Sequence, residues 1–186
     1  MANAAAPGLC SAATLPARMI QIFVTGGTFD KDYDTITGHL VFGETHVNEM
    51  LERGRCTLRH NVRTLMMIDS LEMTDDDRAI IAHNVERTAA RHVVITHGSD
   101  TIVQTAAYLA SRLPPGKTVV LTGAMIPYAF GSSSDGFFNL GSALSFVQVL
   151  PQGVYVAING RYFHWDGVRK NRETGLFEPL KDVATS

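Results

Sequence analysis

Five short apolar runs, at residues 20–24, 65–68, 93–95, 119–121 and 154–158, constrain this chain more than any other feature. They are too short for buried helices and mostly lack the alternation of a strand with one wet face. Runs of this kind suit a parallel sheet covered on both sides. Between them lie stretches of helical spacing. Residues 75–90 put Ile81, Val85 and Ala89 on one stripe. Thr74 can cap that helix, with Asp77 three positions on and acidic residues in the first turn. Residues 101–112 turn Ile102, Ala106, Leu109 and Ala110 inward, until Pro114-Pro115-Gly116 stops them. Residues 137–149 are apolar nearly all round, which predicts burial or an interface, and Pro151 ends them. A shorter helix is predicted over 45–53. Strands alternating with helices predict an α/β fold, three layers deep around a mostly parallel sheet.

The 186 residues suit one domain, expected over 19–186 behind a disordered extension at 1–18. That extension is Ala-rich and carries Pro7, Gly8 and Pro16. It lacks the positive start and unbroken apolar core of a signal peptide. Met19, directly before the first strand, is the expected natural start. Sixteen Lys and Arg against 18 Asp and Glu leave a net charge of −2. No basic excess is present to neutralise phosphates, so no nucleic-acid partner is expected. Residues 136–160 carry no formal charge, yet Asn139, Gln148, Gln152 and Asn159 interrupt them and Pro151-Gln152-Gly153 divides them. A spanning helix needs about 20 mostly apolar residues, so no membrane partner is expected. Cys10 and Cys56 form neither a disulfide framework nor a metal-ligand spacing. A reducing compartment fits that usage, and a cytoplasmic location is expected.

Each apolar run ends in small or hydroxyl residues. They are Thr25-Gly26-Gly27-Thr28, Asp69-Ser70, Thr96-His97-Gly98-Ser99-Asp100-Thr101, Thr122-Gly123-Ala124 and Asn159-Gly160. Open α/β sheets bind ligands outside the carboxyl ends of their strands. Local readings compete at each place. Gly26-Gly27 also fits a plain tight turn, and Ser70 a surface turn. Ser99 or Asp100 also fits the N-cap of the next helix, and Ser132-Ser133-Ser134-Asp135 a loop ending in a cap. His97 reads as a packing residue, and Lys170 by spacing alone as a solvated charge. The convergence of several hydroxyls on one face favours a site. The chain lacks a P-loop, a dinucleotide fingerprint, a G-x-S-x-G elbow and H-E-x-x-H, and its seven histidines are scattered. Neither a metal nor a cofactor is expected. A hydroxyl nucleophile needs a base, and a lysine near another cation, such as Lys170 beside Arg169, can serve.

Four segments in order resemble the L-asparaginase family of the bacterial, threonine-nucleophile type. They are Val24-Thr25-Gly26-Gly27-Thr28-Phe29, Ile95-Thr96-His97-Gly98-Ser99-Asp100-Thr101, Thr122-Gly123-Ala124-Met125-Ile126-Pro127 and Ser134-Asp135-Gly136-Phe137-Phe138-Asn139-Leu140. The resemblance covers about residues 19–180 and implies the fold of that family's N-terminal catalytic domain. It implies Thr28 as the attacking threonine and Tyr33 as the lid tyrosine that orders it. Ser99, where the family has threonine, is implied as the second catalytic hydroxyl, in a triad with Asp100 and Lys170. Ser70 matches the serine that holds the substrate's α-carboxylate, and Asp100 the group that pairs with its α-ammonium. Gly27 and Ala124 are implied at the substrate too, Ala124 through its carbonyl to the leaving amide. Long members add a C-terminal domain, whose copy in a neighbouring subunit supplies a further acidic residue. The implied reaction is hydrolysis of L-asparagine to L-aspartate and ammonia, in a homo-oligomer. A glutaminase or another amidase, and a non-catalytic amino-acid binding module, remain as alternatives.

Overall fold

The strands send alternate side chains into two separate cores, which is why their sequences read as unbroken apolar runs. A computed structural model describes residues 19–180, so the expectations for residues 1–18 and 181–186 fall outside the described residues. The main sheet comprises β1 (Ile20–Gly26), β4 (His60–Ile68), β5 (His92–Thr96), β6 (Thr118–Thr122), β7 (Gly153–Ile158) and β8 (Arg161–His164). Its order is β4-β1-β5-β6-β7-β8, parallel throughout except for β8, which returns antiparallel to β7. On one face Phe23, Ile95, Leu121 and Val156 meet α2 (Asp75–Arg87) and α3 (Ile102–Ala110). On the other, Ile22, Val24, Val94 and Val120 meet α1 (Val47–Arg53) and α4 (Gly136–Val149). The protein is therefore an α/β fold of three layers with a mostly parallel sheet.

Several boundaries differ from the sequence-based expectation for identifiable reasons. The second apolar run is the end of the longer strand β4, whose His60 to Thr64 half lies at the sheet edge and is polar and partly exposed. Helix α2 stops at Arg87, leaving Ala89 exposed rather than on the buried stripe. The Lys117 ammonium donates to the carbonyls of Thr88 and Ala90, at 2.5 and 2.9 Å, and so secures the turn that leads into β5. Thr74 caps α2 reciprocally with Asp77, as expected. Helix α4 buries Leu140, Ala143, Leu144 and Val147 but leaves Phe137, Phe138 and Val149 exposed. Two short hairpins are additional: β2 (Lys31–Tyr33) with β3 (Leu40–Phe42), and β9 (Val168–Lys170) with β10 (Phe177–Pro179).

Strand order positions the site. Taken in chain order, the parallel strands lie 2-1-3-4-5, so successive connections leave β1 in opposite directions. The crevice at such a reversal, outside the carboxyl ends of the strands, is where ligands bind in open α/β sheets. Here it lies between the ends of β1 and β5.

Candidate active site

The first strand exit is packed backbone against backbone. Gly27 has φ of +77°, and a Cβ there would stand 2.4 Å from both Cα and N of Gly98. Only glycine fits, by conformation and by space. The Gly27 N–H donates to the Ile68 carbonyl at 2.9 Å, and the Thr25 hydroxyl to the Thr96 carbonyl at 2.7 Å. The turn is thereby tied to both neighbouring strands. Thr28 opens a single 3-10 turn, half-buried, above the fully buried Phe29.

Gly98 lies equally close to the loop after β4. A Cβ on it would sit 2.4 Å from Ser70 Oγ and 2.5 Å from Ser70 Cβ. Ser70 is buried, and its hydroxyl has no hydrogen-bond partner among the described residues. The Thr101 hydroxyl holds the Ser70 carbonyl at 2.8 Å. Overpacking of this kind costs about 1–3 kcal/mol. Gly98→Ala is therefore expected to lower Tm by several degrees in a thermal scan, and Gly98→Ala with Ser70→Gly to recover most of the loss.

A buried relay supports the same turn. The Arg78 Nε–H donates to Thr105 Oγ1 at 3.2 Å, and the Thr105 hydroxyl lies 2.8 Å from His97 Nε2. His97 Nδ1 lies 2.8 Å from the Gly98 carbonyl. A carbonyl only accepts, so Nδ1 carries the proton and Nε2 takes the threonine's. Burial pushes the His97 pKa down to about 4, so the ring is neutral at pH 7 and structural, as the sequence suggested.

Beyond Gly98 comes a three-residue cluster. Lys170 Nζ, at the end of β9, donates to Ser99 Oγ and to Asp100 Oδ1, each at 2.8 Å. Its side chain is 12% exposed, against 39% for Asp100. The solvated-charge reading of Lys170 fails, because β9 and β10 fold its ammonium back over the end of β5. The capping reading fails too. Helix α3 has Thr101 at its N-cap, and neither Ser99 nor Asp100 bonds its first turn.

The exit of β6 completes the floor. A Cβ on Gly123 would meet the His97 carbonyl at 2.4 Å, and Ala124 is fully buried. The Asp135 side chain bonds no backbone N–H of α4, although it stands at the N-cap. Its carboxylate instead accepts from Met125 N and Ile126 N, at 2.9 and 3.0 Å. Buried Asn139 donates to the Gly123 carbonyl and to Asp135, and accepts from Asn159 N. The sequence reading assigned no role to Asn139, although an amide on the buried stripe of an apolar helix was the available signal.

Tyr33 is the one candidate that stands apart. It is 55% exposed on the hairpin of β2 and β3, whose tip runs through residues 34–39. Lys31 anchors the root with a 2.5 Å ion pair to Asp69, and this bond holds the Asp69 carboxyl below its usual range. Thr28, Ser70, Ser99, Asp100, Lys170, Gly27 and Ala124 thus share one end of the sheet. Chemically the end offers the half-buried Thr28 hydroxyl, the buried Ser99 hydroxyl bonded to an ammonium, a carboxylate and the unsatisfied buried hydroxyl of Ser70. Among the described residues no group of three His, Cys, Asp or Glu could hold a metal ion.

Known proteins share this fold. L-asparaginase 1 of Escherichia coli K12 is 32% identical over 173 residues, which cover 86% of this chain and 49% of that protein. The thermostable L-asparaginase from Thermococcus kodakarensis superposes with a TM-score of 0.76 at 27% identity, over 87% of this chain and 51% of that one. A probable cytoplasmic L-asparaginase from Campylobacter jejuni gives 0.75 at 30% identity, over 89% and 54%. The chain spans about half the length of the relatives it matches. Residues 19–178 match the family model described as asparaginase, N-terminal, and with that match the chain belongs to the asparaginase family.

Proposed function

We propose that the chain carries the catalytic domain of an L-asparagine amidohydrolase, releasing L-aspartate and ammonia. The observation that carries this reading is the bridge from Lys170 to Ser99 and Asp100, set beside the turn of Thr28. A binding module needs charges for a zwitterion, but it has no use for a lysine bonded to a hydroxyl next to a second free hydroxyl.

In the proposed reaction Thr28 Oγ attacks the carboxamide carbon of the substrate. The C–N bond then breaks, the hydroxyl proton ends on the leaving nitrogen, and ammonia departs from an ester on Thr28. Water adds to that ester, the bond to Thr28 Oγ breaks, and the hydroxyl is restored. Backbone N–H groups of the two glycine turns are the donors at hand for the oxyanion, since fixed dipoles there need no reorganisation. Lys170 polarises Ser99 for proton transfer, while Asp100 offers its carboxylate to the α-ammonium. The orphaned Ser70 hydroxyl suits the α-carboxylate, because a ligand would satisfy a buried group that the protein leaves unbonded. Closure of the Tyr33 hairpin would order Thr28 and exclude water. The deciding experiment is ammonia release from L-asparagine, L-glutamine and other amides over a range of concentrations. Turnover of asparagine at the highest kcat/KM supports the reading. Binding without ammonia release from any amide refutes it.

The reading extends to self-association and to a cytoplasmic location. Phe138, 61% exposed on α4, with exposed Phe137 and Val149 on the same helix, supports contact with a second copy. Sedimentation is expected to give a mass above the 20.2 kDa monomer, shifted downward by Phe138→Asp. A stable, fully active monomer would refute it. The free thiol of Cys56 fits a reducing compartment, and fractionation of native cells checks the location.

A further inference from the structure

Asp30 is two residues past Thr28 and closes its 3-10 turn. It is fully buried, and burial pushes its carboxyl above the ordinary range. One oxygen, Oδ1, accepts from the Thr45 hydroxyl at 2.9 Å and from the His46 N–H at 3.0 Å. The other, Oδ2, is buried with no partner among the described residues. A buried carboxylate is expensive to keep, so its bonds need a reason. Thr45 and His46 lie directly beyond the hairpin of β2 and β3. Asp30 therefore joins the two ends of the segment that carries Tyr33.

The other ties at this neck are wetter. His46 Nε2 lies 3.1 Å from Asp32 Oδ1, with side-chain exposures of 18% and 38%, and the Lys31–Asp69 pair is also partly exposed. The tip has little to rest on, since Ile36 is 93% exposed and Leu40 and Val41 are exposed too. Among the described residues the hydrogen bonds and ion pairs that tie the hairpin to the rest of the fold lie at its base, so the base aims it. From Asp30 to Tyr33 the extended chain is a lever of about 10 Å. A tilt of about 10° there would move the tyrosine by about 2 Å. Misplacement of about 1 Å can cost about a hundredfold in rate.

We infer that Asp30 is a positioning residue that staples the far end of the lid hairpin to the nucleophile's own turn, so that Tyr33 returns to one place at every closure. Its catalytic consequence rests on the roles proposed above for Thr28 and Tyr33, whereas the staple itself does not.

The test compares Asp30→Ala, Asp30→Asn and Thr45→Val with the unaltered full chain. Two quantities are read: amide hydrogen exchange of peptides covering residues 31–45 without substrate, and kcat and KM for asparagine per folded molecule. Asp30→Ala is expected to speed exchange in the hairpin by about tenfold or more, leaving β5 and β6 unchanged, and to lower kcat by about tenfold or more. Asparagine at position 30 keeps an oxygen for Thr45 and His46, so Asp30→Asn should recover most of both. Thr45→Val, which removes one donor, should fall between. The inference is overturned if hairpin exchange and kcat per folded molecule stay unchanged, or if exchange quickens equally in β5 and β6. Should Asp30→Ala not fold, Thr45→Val decides by the same criteria. Should the unaltered chain release no ammonia from any amide, the proposed function fails, and the exchange measurement alone decides the staple.

Discussion

Thr28→Ala is expected to abolish ammonia release from L-asparagine, with kcat lower by about 10³-fold or more and the fold unchanged. Both halves follow from position. Thr28 is half-buried, and its side chain makes no hydrogen bond to another described residue, so losing the hydroxyl breaks no bond that shapes the fold. Substitutions away from packed or bonded sites usually change stability by less than about 0.5 kcal/mol. The Thr25 and Gly27 bonds that shape the turn do not involve the Thr28 side chain. Far-UV circular dichroism and Tm should therefore match the parent while coupled ammonia detection reads background. Retention of full activity would remove Thr28 from the nucleophile's role, and with it the covalent route.

Lys170→Met is expected to lower kcat by about 10²–10⁴-fold, the range that a general acid–base group contributes. Methionine preserves much of the stem while deleting the ammonium. Ser99 then loses its donor, and Asp100 keeps a carboxylate with no cation beside it. With Asp100 39% exposed, water can take up much of what that carboxylate loses, so the effect on stability should stay within about 1 kcal/mol. The pairing of a large kinetic loss with a small thermal one is diagnostic. A fall in Tm with kcat per folded molecule unchanged would make Lys170 a structural clamp for β9 and nothing more.

What could be read from the sequence was set by how local its physical cause is. The parallel core was legible because burial on both faces leaves a one-dimensional mark, as in Val93 to Ile95. The edge half of β4 was not, since His60 to Thr64 pack against one neighbour and carry ordinary surface residues. The hairpins of β2–β3 and β9–β10 are three-residue strands, too short for any period to register. Capping preference pointed Ser99 and Asp100 at α3, yet their partner is Lys170, 71 and 70 residues away in the chain. Composition and spacing cannot see such a partner, and the family motif was the route to it. The loop contacts of Asp135 and Asp30 escaped for the same reason, since each bonds loops that only the fold brings together.

The backbone contact between Gly27 and Gly98 bears on how this scaffold could be altered by directed evolution. Two chain segments meeting without side chains leave no volume to trade, so random substitution there mostly returns unfolded or idle proteins. The exposed hairpin tip, with Thr35, Ile36 and Thr37 free of the core, is the opposite case. New selectivity toward other amides should therefore arise in libraries confined to residues 34–41, with the strand-exit glycines left as they are.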